Sequence, residues 1–229
     1  WSLIRSRSES IAQTFGYGRI DTPVFESTGL FLRTVGLDTD IVSKEMYSFE
    51  DRGEQELTLR PEGTAPVCRA YLEHGMRNLP QPVRLFYTSP MFRYDRPQAG
   101  RYRQFHQFGV EAIGDGDPSI DAEIIQLAMT FIESLGLTGC NLVINSIGDA
   151  EDRPAYLQAI QKYFSPHLDI LSPDDRRRFD ANPLRLLDSK EPNIQALLEN
   201  VPRSTDYLGP TAREHWNQLL SHLKDLGIA

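Results

Sequence analysis

An arginine-rich loop between two predicted strands is the stretch of this sequence with the clearest chemical character. Residues 91–114 read MFRYDRPQAGRYRQFHQFGVEAIG, and positions 93–103 hold four arginines and one acid, Asp95. Pro97 and Gly100 favour a turn over a helix in this loop. Arginine stays protonated, and its planar fork binds phosphate oxygens in pairs. The loop is a small positive island in a chain of net charge −8, so any site for a polyanion must be local.

The strand predicted after the loop carries an amide and a carboxylate on the same face. Alternation places two sets of side chains on opposite faces: Phe105, Gln107, Gly109, Glu111 and Ile113 on one, and His106, Phe108, Val110 and Ala112 on the other. The second set suits a packed core, which favours a structural role for His106 over general-base catalysis. Burying Gln107 and Glu111 without partners would be costly, so a ligand that supplies donors is the economical explanation.

A second polar stretch, RPEGTA at residues 60–65, precedes a predicted helix. Pro61 and Gly63 take it out of the sheet at the end of a strand. The carboxylate of Glu62 and the hydroxyl of Thr64 can receive an ammonium group. The pattern alone favours a helix N-terminus instead, with Thr64 as the cap and Glu62 near the positive end of the helix dipole.

These stretches, LRPEGTA at residues 59–65 and RPQAGRYRQFHQFG at 96–109, resemble class II aminoacyl-tRNA synthetases in the form found in histidyl-tRNA synthetases. The second stretch is similar to motif 2 of that class. The resemblance implies a reaction in two steps. The carboxylate of histidine attacks the α-phosphorus of ATP to give histidyl-adenylate and pyrophosphate, and the acyl group then moves to the terminal ribose of tRNA(His).

The resemblance also implies roles for residues of the arginine loop. Arg93 matches the motif 2 arginine that binds the α-phosphate, and Arg101 and Arg103 are candidates for the outer phosphates or for support of the loop. Arg96 and Gln98 match positions that face the acceptor end of tRNA. Mg²⁺ would bridge phosphate oxygens, as hard cations do, and the sequence offers no dedicated protein cage for it.

By the same resemblance, the histidine substrate would contact four residues outside the arginine loop. Glu62 and Thr64 would bind its α-amino group, Gln107 its backbone groups, and Glu111 the N–H of its imidazole ring. Residues four apart on a strand lie roughly 13 Å apart, so Gln107 and Glu111 must touch different parts of the ligand.

The elements around these residues predict an α+β fold, a mainly antiparallel sheet flanked by helices, followed by a small α-helical domain. We expect residues 1–149 to form a partial class II catalytic domain and residues 150–229 a helical insertion domain, with NPLRLLDSKEP at 182–192 similar to that insertion. Strands are predicted at 47–51 and 56–59, with a turn at 52–53 between them. Two more are predicted at 83–87, which should end before 88–90, and at 140–145. The predicted helices include 1–15, with Leu3, Ile4, Ile11 and Phe15 as its stripe, and 120–135, capped by Ser119.

The N-terminal helix is followed by a proline-bearing stretch, RIDTPVFE at residues 19–26. It resembles motif 1, which implies a homodimer built through this segment. The mixed segment 27–46 is similar to the stretch that comes after motif 1 in the family. The hydrophobic pattern of the N-terminal helix alone favours a different role, in which this helix packs on the sheet of its own chain.

Composition narrows the class of protein. Apolar residues make up 40% and charged residues 24% of 229 residues, as in globular domains. Cys68 and Cys140 are far apart and form no CxxC pattern, which argues against a disulfide scaffold or a zinc site and fits a reducing compartment. There is no signal-peptide core and no apolar run near the roughly 20 residues that cross a bilayer. These features predict a cytoplasmic protein without a membrane segment.

Two other functions compete with a ligase. One is a synthetase-like regulatory subunit of ATP phosphoribosyltransferase, which shares the fold, but the intact RPEGTA and RPQAGRYRQFHQ stretches speak against it. The other is an RNA-binding module, weakened by the acidic net charge and by the acids that flank Arg176, Arg177 and Arg178. The RGLDYY and GGGRYDGL segments, motif 3 and the anticodon-binding domain of the family do not occur in the sequence. We therefore expect the chain to hold part of the active site and to be inactive alone.

Overall fold

The computed structural model describes residues 1–35 and 45–228, and the chain forms two compact units, Trp1–Cys140 and Asn141–Ala229. The segment 27–46 therefore lies partly outside the described residues. In the described part of the first unit the strands are β1 (Gly18–Arg19), β2 (Phe25–Ser27), β3 (Tyr47–Glu50), β4 (Glu56–Leu59), β5 (Val83–Phe92) and β6 (Gln104–Ile113). The α-helices there are α1 (Ser2–Thr14), α2 (Thr28–Val35), α3 (Thr64–Glu73) and α4 (Pro118–Ser134).

The strands form two sheets of three, and all but one of the pairings are antiparallel. The first sheet has the order β1-β5-β6, with β1 parallel to β5, and the second has the order β2-β4-β3. The long β5–β6 hairpin pairs Tyr87 with Gly109 and Ser89 with Gln107. The predicted α+β class is thus confirmed, and so is the β3–β4 hairpin, whose turn is held by Asp51 Oδ1 accepting from the amides of Gly53 and Gln55.

The prediction that β5 ends before residues 88–90 is wrong, because the strand runs through Pro90 to Phe92. The amide of Phe92 donates to the carbonyl of Arg60, away from β6. In a strand the N–H groups of every second residue point the same way. The backbone nitrogen of Pro90, which carries no hydrogen, therefore also faces away from β6. The proline therefore removes no hydrogen bond from the β5–β6 ladder.

Helices cover both faces of the first sheet. On one face α1 and α4 pack with the sheet through Ile11, Ala12, Tyr17, Phe86 and Leu127, joined by Phe108, Val110 and Ala112 of β6. On the other face Val67 of α3 packs with Tyr87 and Met91, joined by Phe105 and Ile113. The predicted alternation of β6 is confirmed. The predicted stripe of α1 is only partly right, since Leu3 and Ile4 are exposed and the buried face is Ser8, Ile11 and Ala12.

The buried side chain of Arg60, which follows β4, connects the two sheets. Its guanidinium donates to the carbonyls of Thr22 (2.7 Å), Pro23 (3.2 Å) and Pro90 (2.9 Å). Its amide donates to Val24, before β2. The residue is only 3% exposed, so these carbonyls replace the water that a buried cation loses.

Two further predictions, about α4 and about residues 140–145, need correction. The N-cap of α4 is Asp117, whose carboxylate accepts from the amide of Ser119, rather than Ser119 itself. Residues 140–145 form no strand, although the exposure of their side chains alternates. A strand requires a paired neighbour, and the described residues supply none for this stretch.

In the second unit the described residues, 141–228, contain helices and no strand. The α-helices are α5 (Arg153–Phe164), α6 (Pro173–Ala181), α7 (Pro192–Leu198) and α8 (Pro210–Asp225). The core is formed by Tyr156, Ile160, Phe164, Phe179, Leu186 and Ile194. Ser172 precedes α6, and its hydroxyl accepts from the amide of Asp175. No helix within residues 1–35 and 45–228 is long and apolar enough to span a membrane.

Replacing Arg60 by methionine should destabilise the first unit strongly. Three partly buried carbonyls would lose their donor. A buried polar group left unsatisfied costs about 1–3 kcal/mol, so we expect a loss of roughly 2–3 kcal/mol. Urea unfolding followed by circular dichroism measures it. Arg19→Met is the matched control, because Arg19 is an exposed arginine bonded to Asp21, and it should leave the midpoint unchanged. Equal midpoints for both variants would contradict the role of Arg60.

Candidate active site

The ring of Tyr87 packs against the face of β6 that carries Gln107 and Glu111. Tyr87 is 6% exposed and lies on β5 opposite Gly109. A Cβ atom added at Gly109, or at Gly63 before α3, would overlap the tyrosine ring. The two glycines therefore leave the space in which the ring fits, between β6 and the turn that begins α3.

Glu111 lies beside this ring, and two hydroxyl groups donate to it. Thr64 Oγ1 donates to Glu111 Oε1 at 2.8 Å, and the Tyr87 hydroxyl donates to the same oxygen at 3.4 Å. Burial raises the pKa of the Glu111 carboxyl, while the hydrogen bonds from Thr64 and Tyr87 act in the opposite direction. The structure thus brings together Glu111 and Thr64, which are far apart in sequence.

Glu62 caps α3, at the helix N-terminus that the sequence pattern alone had favoured for this stretch. Its carboxylate accepts from the amides of Thr64 (2.6 Å) and Ala65 (3.0 Å). The capping side chain is thus Glu62 and not Thr64, since the Thr64 hydroxyl donates to Glu111 instead. A hydroxyl has one hydrogen and two lone pairs, so Thr64 and the carboxylate of Glu62 retain acceptor capacity.

Gln107, farther along the same face of β6, has an unsatisfied amide oxygen. Its Oε1 atom is buried, and it has no hydrogen-bond partner among residues 1–35 and 45–228. Such an atom costs free energy unless a donor reaches it. This agrees with the expectation that the face is completed by a ligand. For Glu111 that expectation was incomplete, since the protein itself supplies two donors.

Arg93 follows β5 and is held by one edge of its guanidinium. Its Nε donates to the carbonyl of Pro61 at 2.9 Å, and the guanidinium carbon lies 5.2 Å from the centre of the Phe105 ring. Its two terminal nitrogens have no partner among the described residues. Arg93 thus presents two N–H-bearing nitrogens from a fixed position beside the turn that carries Glu62.

Two other arginines of the loop, Arg101 and Arg103, are engaged within it. Arg101 pairs with Asp95 at 3.2 Å, and the guanidinium of Arg103 lies 4.2 Å from the centre of the Tyr94 ring. The backbones of Gln98 and Arg101 pair to close the tip of the loop. A cleft of about 390 Å³ lies beside the loop, lined by Glu45, Arg93, Asp95, Gly100, Arg101, Tyr102 and Phe105. Arg93 and Arg101 therefore reach the same cleft, while Arg96 and Gln98 are exposed at the tip.

His106 lies on the opposite face of β6 from Gln107. Its ring centre is 4.6 Å from that of Trp1.

The described residues contain no group of three His, Cys, Asp or Glu side chains that could hold a metal ion. None of them is therefore identified as a ligand for Mg²⁺.

The sequence and the fold both match known proteins. A family model described as histidyl-tRNA synthetase matches residues 2–151. The chain belongs to the histidyl-tRNA synthetase family. A curated member of the family, the histidine–tRNA ligase of Dehalococcoides mccartyi, is 58% identical over 100% of this chain and 54% of its own length. The chain thus spans about half the length of the curated relatives it matches.

Solved structures agree with membership of the histidyl-tRNA synthetase family. Apo histidyl-tRNA synthetase of S. aureus is 40% identical, with a TM-score of 0.75 over 100% of this chain and 51% of that one. A protein described as an ATP phosphoribosyltransferase regulatory subunit/histidyl-tRNA synthetase, from Bacillus halodurans C, is 24% identical, with a TM-score of 0.65 over 98% and 60% of the two chains. The second likeness shows the fold alone.

Sequence reasoning missed Tyr87 as part of this site. It was assigned to an apolar strand, and nothing in its immediate neighbours suggests a contact with Glu111. The available signal was Gly109, because glycine in a strand often marks the close approach of another group.

Substituting Gly109 with alanine should disturb this site. The added methyl group would overlap the buried Tyr87 ring, and overpacking of this kind costs about 1–3 kcal/mol. Gly116→Ala is the control, because a Cβ atom there meets nothing within 4 Å. Urea unfolding of the two variants measures the difference in stability. If Gly109→Ala were as stable as Gly116→Ala, the close packing of Tyr87 would be wrong.

Proposed function

We propose that this chain carries the histidine site and the α-phosphate site of a histidine–tRNA ligase, which activates histidine with ATP and transfers it to tRNA(His). The observation that carries the proposal is the turn at residues 61–64. It holds Arg93 through the Pro61 carbonyl and places two oxygen acceptors, Glu62 and Thr64, beside Glu111. An amino acid and a phosphate can therefore meet at one fixed turn.

The α-ammonium group of histidine has three N–H donors. We assign them to Glu62, Thr64 and Gln107. The hydrogen of the Thr64 hydroxyl is already donated to Glu111, so its oxygen is left to accept. The buried Oε1 of Gln107 lacks a partner among the described residues, and an ammonium is the only donor among the backbone groups of a free amino acid. Binding histidine would thus satisfy an atom that is otherwise unpaired.

The imidazole N–H of histidine is assigned to Glu111. Both protein donors reach its Oε1, which leaves Oε2 for the ligand. A half-buried carboxylate that reads a single N–H discriminates well, because an isostere without that donor leaves it unpaired. Burial, which raises the pKa of Glu111, also strengthens each hydrogen bond made to the charged form.

The activation step needs positioning and positive charge more than proton transfer. A carboxylate oxygen of histidine forms a bond to the α-phosphorus while the bond to the pyrophosphate oxygen breaks, and no proton is required for the attack. The terminal nitrogens of Arg93 are assigned to the α-phosphate oxygens, where a fixed cation stabilises the developing charge.

Arg101 and Arg103 are assigned to the outer phosphates of ATP or to support of the loop. Arg101 lines the cleft with Arg93, whereas the stacking of Arg103 on Tyr94 fits a supporting role better. We propose that Mg²⁺ binds with ATP through its phosphate oxygens, since hard cations prefer oxygen ligands. No described cluster of this chain fits a resident ion, so no step is assigned to it.

The remaining assignments concern tRNA, assembly and location. Arg96 and Gln98, exposed at the loop tip, are assigned to the acceptor end of tRNA(His). We further propose a homodimer through the motif 1 segment, a cytoplasmic location, and a division into a catalytic part at residues 1–149 and a helical insertion domain at 150–229.

Histidine-dependent exchange of pyrophosphate into ATP tests the proposed ligase directly. The assay compares a protein that has the full length of the curated relatives with the 229-residue chain alone. We expect exchange by the full-length protein that requires histidine, and none by the 229-residue chain. A folded full-length protein without exchange would favour a regulatory protein that binds histidine. Exchange by the shorter chain would show that these residues contain a complete site.

Glu111→Gln in the full-length protein should weaken histidine recognition selectively. The neutral amide loses the charge that strengthens the bond from the imidazole, so we expect the KM for histidine to rise at least about tenfold while the KM for ATP changes less than about twofold. Glu123→Gln is the control, because Glu123 is a half-buried carboxylate that also accepts from a tyrosine, Tyr17. Equal effects on both substrates would count against the assignment of Glu111.

A further inference from the structure

We infer that Tyr87 is a positioning residue for histidine recognition, whose hydroxyl fixes one oxygen of Glu111 so that the other faces the imidazole N–H. This inference rests on the proposed function and adds a residue that does not itself touch the substrate. It draws on three features of the structure: the confinement of the ring, the direction of its hydrogen bond, and the charge of its partner.

The ring of Tyr87 has little freedom to move. Tyr87 is 6% exposed, and its ring packs with Val67 and Met91 in the core cluster beneath α3. The backbone also approaches the ring so closely at Gly63 and at Gly109 that only glycine fits there. A hydroxyl on so confined a ring is a rigid donor, in contrast to one on a mobile side chain.

The hydroxyls of Tyr87 and Thr64 converge on one atom, Glu111 Oε1. They approach from different elements, Tyr87 from β5 and Thr64 from the first turn of α3. Two donors on one oxygen fix the rotation of the carboxylate and leave Oε2 without a partner among the described residues. A carboxylate held in this way offers the ligand one acceptor in a defined direction.

The same two donors favour the charged form of Glu111. Burial raises the pKa of this carboxyl, the bonds from Thr64 and Tyr87 lower it, and the nearby carboxylate of Glu62 raises it. The raised pKa of Tyr87, caused first by burial, keeps its hydroxyl protonated and therefore able to donate. Removing the Tyr87 hydroxyl should accordingly raise the pKa of Glu111 further, so that a larger share of the carboxyl is protonated as the pH falls.

Tyr87→Phe in the full-length protein tests this role, because it removes the hydroxyl and keeps the ring. The matched control is Tyr17→Phe, which also removes a bond from a tyrosine hydroxyl to a carboxylate, Glu123, at 3.0 Å, on the opposite face of the sheet. Pyrophosphate exchange is measured across pH with histidine or ATP varied. The ionisation of histidine and ATP affects all the pH profiles equally. It therefore cancels when the profile of each variant is compared with that of the unsubstituted protein.

For Tyr87→Phe we expect the KM for histidine to rise about tenfold near neutral pH, as for loss of a bond to a charged group, with the KM for ATP unchanged. The acidic limb of the profile for histidine should move to higher pH, so the defect grows as the pH falls. Tyr17→Phe should show neither effect. If Tyr87→Phe matched Tyr17→Phe while the unsubstituted protein exchanged normally, the positioning role would be overturned. Absence of exchange in the unsubstituted protein would instead overturn the proposed function.

Discussion

The buried guanidinium of Arg60 is the interaction on which the rest of the first unit depends. It binds the carbonyls of Thr22 and Pro23, which lead into β2, and that of Pro90 in β5, and so holds the ends of two sheets together. Arginine remains charged in proteins even where burial lowers its pKa, as it does here. The cation therefore has to keep its carbonyl partners, and the two sheets have to keep their spacing.

The candidate site depends directly on that spacing. The residue after Arg60 is Pro61, whose carbonyl fixes Arg93, and Glu62 then caps α3 while Thr64 turns to Glu111. Several of the residues proposed to bind histidine or to hold Arg93 thus lie on one short turn, which a buried cation anchors. Tyr87 supports the same turn from below, through its close contact with Gly63. A change in the position of this turn would alter the proposed amino-acid and phosphate sites together.

Much of this arrangement could be predicted from the sequence. The strict alternation of β6 places Gln107 and Glu111 on the opposite face from Phe108, Val110 and Ala112, which pack with α1 and α4. The resemblance to the family supplied roles for Arg93, Glu62 and Thr64, which residue pattern alone would have assigned to a turn and a helix cap. The stretch does form a helix N-terminus, as that pattern indicated, but the capping side chain is Glu62 rather than Thr64. The proposed role of Glu62 at the ammonium group uses the acceptor capacity that remains.

The features that could not be predicted depend on contacts between distant parts of the chain. Pro90 continues β5 because its nitrogen faces away from β6, and the sequence gives no sign of that direction. Residues 140–145 alternate like a strand, but a strand also requires a neighbour, and the described residues offer none. Arg60 and Tyr87 have ordinary neighbours in sequence, and their importance appears only when the carbonyls and glycines that surround them are brought together.

A crystal structure of the full-length protein with histidine bound would test most directly whether this turn and β6 together recognise the amino acid. The imidazole N–H should lie within hydrogen-bond distance of Glu111, the ammonium should contact Glu62 and Thr64, and the carboxylate should point toward Arg93. Histidine bound in the reverse orientation, or away from β6, would contradict the assignment of these residues.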